Sequence, residues 1–241
     1  MKIKQIIIIA ITLVVCTGFI FISESNPPSE EPGDVLYGID ISADQENEIL
    51  SIHKNTDSLS FIICKATGGI TIQDPDFKLN WKQIHDKGFI AGAYHFYYSH
   101  DSPQAQVNNY LNEVGEFAAT DLPPIVDFEG YGIDTDQSLQ EVQNSLKKVL
   151  ELIQIRTGRT PIIYTNVSIG NKYLTDAEFA KYPLWIADYN GRSKPEMPGA
   201  WKDTEWVLWQ QTSKYIINGD TNDLDLFNGD LQQFKDFINK Y

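Results

Sequence analysis

From Asp34 onward, short apolar runs alternate with longer segments of helical period, and this rhythm restricts the chain to a βα series around a mainly parallel sheet. Strands are expected at Leu36–Ser42, Ser60–Ala66, Phe89–Phe96, Pro124–Glu129 and Pro161–Thr165. Gln45–Lys54, Asp76–Lys87 and Pro103–Glu116 lie between the first four, each amphipathic enough for a helix and long enough to cross between parallel neighbours. Ser138–Thr157 is the best helix, with Leu139, Val142, Leu146, Val149, Leu150 and Ile153 on one stripe. Ser138 and Glu141 make a capping box at its start, and Gly158 ends it. A further helical stretch reaches about Ala180. The rhythm then changes, because Pro183–Asp188, Glu205–Gln211 and Asp223–Leu226 are strands without long helices between them. Asp230–Lys240 closes as a helix. Eight strands in this order fit a barrel with an irregular second half, and the chemistry of such barrels sits at the C-terminal strand ends.

A chain of 241 residues, 42% hydrophobic, can build one good core, so residues 35–241 are expected to form one domain. Ahead of it, Lys2 and Lys4 precede an almost unbroken apolar run from Ile6 to Ile22, and residues 1–23 read as a signal peptide or an N-terminal membrane anchor. Ser23–Asn26 offers no clear cleavage site, which leaves anchoring through Ile6 to Ile22 open. Either way the positive-inside tendency puts the domain outside the cytoplasm, whether secreted, periplasmic or membrane-anchored. Cys16 lacks the small preceding residue expected of a lipidated cysteine. Residues 24–34, rich in proline and glutamate, form a linker. Cys64, the domain's single cysteine, lies in an apolar run and reads as an inert core thiol. The net charge of −14 repels nucleic acid and anionic lipid, so neither is an expected partner, and a monomer is the expected state.

The informative stretch is Leu122-Pro-Pro-Ile-Val-Asp-Phe-Glu-Gly130. Strand alternation points Asp127 and Glu129 the same way with Phe128 opposite. Two acids so close cannot both ionise freely, so one keeps a proton and can act as a general acid. Asp40 and Asp188 also fall at strand ends, as do His95, Tyr97 and Tyr98. His95 reads more readily as a satisfied barrel histidine than as a base.

Other chemistries find little support. Asp220-Thr-Asn-Asp-Leu-Asp225 resembles a calcium loop locally but lacks its glycine and distal glutamate, and the four histidines show no zinc spacing, so no metal or cofactor is expected. Lys65-Ala-Thr-Gly-Gly69 is no phosphate loop, and no serine sits in a nucleophile elbow. Trp185 and Trp209, on late strands with polar neighbours, are candidates to line a groove. An acidic pair with aromatic walls suits sugar rings.

Tyr37-Gly-Ile-Asp-Ile-Ser42 with Gln45, Ala93-Tyr-His-Phe96, Pro124–Glu129, Pro161–Thr165, Leu184-Trp-Ile-Ala187, Trp209-Gln210 and Asp223–Gly229 resemble, in order, the motifs of glycoside hydrolase family 25, the Chalaropsis-type lysozymes. The resemblance covers nearly the whole domain. It implies an α/β fold, an irregular flattened (β/α)5(β)3 TIM-like barrel, and an N-acetylmuramidase acting on peptidoglycan glycan strands. It carries the four catalytic acids onto Asp40, Asp127, Glu129 and Asp223, with Glu129 as the proton-bearing general acid. Asp127 is expected to stay ionised and to position the 2-acetamido group or a water. Tyr94, His95, Tyr164, Trp185, Asp188 and Gln210 are the candidate substrate-binding residues. Asp225 stands where the family commonly has Asn or another polar residue, adding an acid beside Asp223. A non-catalytic glycan-binding barrel and a metal-dependent hydrolase are the alternatives.

Overall fold

The computed structural model describes residues 35–45, 48–54 and 57–241. The signal or anchor of residues 1–23, with Ile6 to Ile22 and Cys16, and the linker of residues 24–34 lie outside the described residues. Among the described residues no helix is long and apolar enough to cross a membrane.

The strands are β1 (Tyr37–Ile41), β2 (Leu59–Gly68), β3 (Ile72–Gln73), β4 (Ile90–Phe96), β5 (Ile125–Asp127), β6 (Ile162–Asn166), β7 (Leu184–Ala187), β8 (Leu208–Ile217) and β9 (Asp220–Phe227). The helices are α1 (Phe77–Asp86), α2 (Pro103–Val114), α3 (Leu139–Thr157), α4 (Val167–Tyr173) and α5 (Leu231–Lys240). Parallel pairing runs β1–β2–β4–β5–β6–β7–β8, and β9 closes the ring antiparallel to both β8 and β1. The short β3 hangs on β2 outside the ring. The closed eight-stranded barrel is the architecture the alternation predicts.

Strand alternation divides the apolar side chains into two layers. Ile39, Ile62, Cys64, Ala93, Val126 and Ile163 face outward and pack under the helices. Phe61, Ile63, Ile125, Ile162, Leu208 and Phe227 face inward, where Phe234, Phe237 and Ile238 of α5 join them. Phe234 stacks on Phe227 at 4.2 Å and meets Phe61 edge-on at 5.4 Å, so α5 plugs the barrel floor. Burying such rings stabilises by about 1.5–3 kcal/mol each. Gly38 makes room for this plug, since a Cβ there would lie 2.3 Å from the Phe61 ring.

Helix α3 begins as its sequence dictates. The Ser138 amide donates to Glu141 Oε2 at 2.7 Å, the Glu141 amide donates back to Ser138 Oγ at 3.3 Å, and Gly158 ends the helix with φ of 72°. Two local expectations differ from the structure. In the first crossover, the described residues of the expected helix Gln45–Lys54 form no α-helix; the 3₁₀ turns Ala43–Gln45 and Glu48–Leu50 stand there instead. The last strand, expected at Asp223–Leu226, is longer: β9 spans Asp220–Phe227, and the calcium-like run Asp220–Asp225 lies within it. Asn218 and Gly219, with φ of 54° and 101°, form the two-residue turn of the β8–β9 hairpin.

Candidate active site

Asp127 ends β5 and Glu129 follows two residues later, both lining a rim cleft of about 330 Å³. Phe128 points the other way and packs against Tyr97 and Tyr173 at ring distances of 5.6 and 6.4 Å. The alternation inferred from the sequence therefore holds. Asp40 on β1 faces Asp223 directly across the β1–β9 ladder, and both reach the same cleft. The four acids from three parts of the chain meet at one rim.

A polar chain fixes one of them. Tyr164 and Tyr189 each donate a phenol hydrogen to Gln210 Oε1, at 2.8 and 2.6 Å. With its oxygen so occupied, Gln210 turns its Nε2 to Asp40 Oδ2 at 2.6 Å. Below them Trp185 packs edge-on against Tyr164, with ring centroids 4.5 Å apart.

Burial sets the electrostatics. Asp40 is pushed up to about 7, first by burial and then by the Asp223 charge, and Asp223 is pushed up to about 6 by burial and Glu129. Burial raises Glu129 too, while the Tyr164 hydroxyl and Lys65 pull it back. Asp127, 7% exposed, is held well above the ordinary carboxylate range by burial, Glu129 and Asp40. Burial thus raises both carboxyls of the pair, Asp127 being the more deeply buried. Its Oδ1 is buried without a hydrogen-bond partner.

Of the candidate binding residues, Tyr94, Tyr164, Trp185 and Gln210 line the cleft. His95 does not. Alternation turns it outward, opposite to Tyr94 and Phe96, where Nδ1 meets Thr67 Oγ1 at 2.8 Å and Nε2 meets Gln106 Oε1 at 3.3 Å. Full burial pushes its pKa down to about 4, so it is a neutral packing residue under α2. Asp188 also lies off the cleft. Its Oδ2 accepts from the Glu196 amide at 2.7 Å and from the Asn190 side chain, and so ties down the loop after β7. Trp209 faces the outer core, donating Nε1 to the Asp188 carbonyl at 2.8 Å.

The cleft also contains Lys65, Phe96, Tyr189 and Ser213. Lys65 sits 5.6 Å over the Phe96 ring, a cation facing the acids. Alternation along β2 and β4 carries the signal for Lys65 and Phe96, two residues from Ile63 and from Tyr94. Tyr189 lies beyond β7, and Ser213 lies in β8 where the register shifts twice, so neither has a periodic signal.

A barrel rim that gathers carboxylates beside aromatic rings defines a glycoside hydrolase: acids to protonate and position, rings to face a sugar. The chain belongs to glycosyl hydrolases family 25, whose sequence profile matches residues 39–220. Lysozyme M1 of Streptomyces globisporus is 29% identical over 216 residues, covering 84% of this chain and 70% of that protein. YegX of Escherichia coli is 30% identical over 209 residues, covering 84% and 73%. Among solved structures, the bacterial lysozyme from Streptomyces coelicolor superposes with a TM-score of 0.78 at 28% identity, covering 86% of this chain and 98% of that one. The muramidase from Acremonium alcalophilum gives 0.75 at 26% identity, covering 86% and 100%.

Proposed function

We propose that this glycoside hydrolase is a lysozyme acting outside the cytoplasmic membrane, cleaving the β-1,4 bond between N-acetylmuramic acid and N-acetylglucosamine in peptidoglycan. The observation that carries this reading is the meeting of Asp40, Asp127, Glu129 and Asp223 in one aromatic-walled cleft. Similarity to Lysozyme M1 and to the Streptomyces coelicolor lysozyme supports the substrate class. The basic start and apolar run of the N-terminus support export.

Glu129 serves as general acid. It lines the cleft, and burial raises its carboxyl toward the range of a proton donor. Asp127, which lines the cleft, serves the substrate's 2-acetamido group. As that contact forms, the proton of the Asp127–Glu129 pair is drawn to Glu129, which delivers it to the glycosidic oxygen. Asp40 and Asp223 stabilise positive charge developing on the sugar ring.

The test is a digest of purified peptidoglycan by the full chain, followed by borohydride reduction and mass spectrometry. New reducing ends carried by N-acetylmuramic acid are expected. Ends carried by N-acetylglucosamine, or binding to glycan strands without new ends, contradict the assignment.

A further inference from the structure

Asp225 carries none of the roles assigned above, yet it is fully buried and bonded to Trp185 of the cleft lining. It lies on the same face of β9 as Asp223, opposite Gly38 of β1 and Gln210 of β8. Its Oδ1 accepts the Trp185 indole hydrogen at 2.7 Å. Its Oδ2 is buried and receives no N–H or hydroxyl. The hydrogen-bonding neighbour left to it is the Asp40 carboxyl, which already accepts the Gln210 amide.

The groups acting on this carboxyl are Asp40 from β1, Asp223 on its own strand and the neutral indole of Trp185 from β7. Glu129 adds negative charge to the Asp40 side. Lys65 acts on Asp127 and Glu129 and is not among the groups acting on Asp225. Two carboxylates in hydrogen-bond contact, with no cation between them, cannot both stay charged. A carboxylic acid beside a carboxylate, by contrast, offers an O–H donor to an anionic acceptor, one of the stronger hydrogen bonds available to side chains.

We propose that Asp225 is a neutral carboxylic acid that clamps the site: its O–H donates to Asp40 while its carbonyl oxygen holds the Trp185 indole. It acts as a positioning residue. One short side chain thus fixes both an acid of the cleft and a ring of its lining, and its own proton satisfies the otherwise orphaned Oδ2. Burial, with the Asp40 charge behind it, raises the Asp225 carboxyl well above the ordinary range, in keeping with a bound proton at neutral pH.

The kinetic test rests on the lysozyme reading; the spectroscopic one does not. In the full chain, Asp225→Asn keeps a donor and an acceptor in the same shape, whereas Asp225→Leu removes both. The infrared difference between parent and Asp225→Asn at pH 7 is expected to contain the carbonyl stretch of one protonated carboxylic acid, present in the parent and lost in the variant. On peptidoglycan, Asp225→Leu is expected to lower kcat by about tenfold or more, equivalent to ~1.4 kcal/mol or more, with KM little changed. Asp225→Asn is expected to rescue kcat to within about threefold of the parent. A difference spectrum without that band overturns the proposal, as does an Asp225→Asn variant as impaired as Asp225→Leu. If the parent itself releases no reducing ends, the lysozyme reading fails, and the infrared band still decides the proton. If Asp225→Leu does not fold, the band and the Asp225→Asn kinetics decide it.

Discussion

At the scale of the residue, the cleft separates side chains that share a motif. Tyr94, His95 and Phe96 are consecutive, yet two line the cleft and His95 lies behind the barrel wall. His95→Leu is therefore expected to leave Thr67 and Gln106 short of a partner and to cost about 1–3 kcal/mol of stability. Denaturant unfolding checks that loss, while kcat/KM on peptidoglycan should stay within about twofold. Gln210 behaves in the opposite way. Its amide links two tyrosines to Asp40, so Gln210→Leu is expected to lower kcat/KM by about tenfold or more with a smaller change in stability. The acids at strand ends are legible in the sequence because period-two alternation and their motifs name them. Their protonation is not, since it depends on depth of burial, which raises the carboxyls of both Asp127 and Glu129.

At the scale of the element, the eight barrel strands and helices α1, α2, α3 and α5 follow from periodicity, capping and breakers. The first crossover departs from expectation because its apolar residues fit a helical count that its short 3₁₀ turns do not use. In the β8–β9 hairpin, Asn218-Gly219 is the favoured pair for a two-residue turn, but the closely spaced polar residues that follow it hide the start of β9, which is legible only from Asp223 onward. Gly38 is legible as part of a motif, but the reason for it is not, as Phe61 comes from a different strand. Gly38→Ala is expected to force the Phe61 ring off the α5 plug and to destabilise by about 1–3 kcal/mol. A thermal melt checks this, and a variant as stable as the parent would contradict the tight β1–α5 packing.

At the scale of the molecule, the barrel holds a cluster of acids against their own solvation. Asp40, Asp127, Glu129, Asp223 and Asp225 all have raised pKa values in the folded state, with burial the first cause in each. A raised carboxyl means the folded state binds more protons than the unfolded one between the unfolded value near 4 and the folded value. Stability conferred by these groups is thus present at acidic pH and is lost as pH rises, each tenfold gain in proton affinity on folding being equivalent to at most about 1.4 kcal/mol. Melting temperature is expected to be higher at pH 5 than at pH 7.5. Asp127→Asn, which replaces a buried acid by a neutral isostere, should raise it at pH 7.5 by about 2–4 °C, the equivalent of about 1 kcal/mol. Calorimetry across this range checks both; a melt that rises with pH contradicts the burial argument. The barrel is legible because alternation survives in single segments. The cleft's full lining is not, because Tyr189 and Ser213 carry no periodic signal and are brought in by closure alone.

Glu129 is the residue on which the proposed chemistry turns. Reducing-end release from peptidoglycan, compared between the parent and Glu129→Gln at matched fold and pH, is expected to fall by about 10²–10⁴-fold in kcat with glycan binding retained. A Glu129→Gln variant that keeps activity within tenfold of the parent would contradict the assignment of Glu129 as the proton donor.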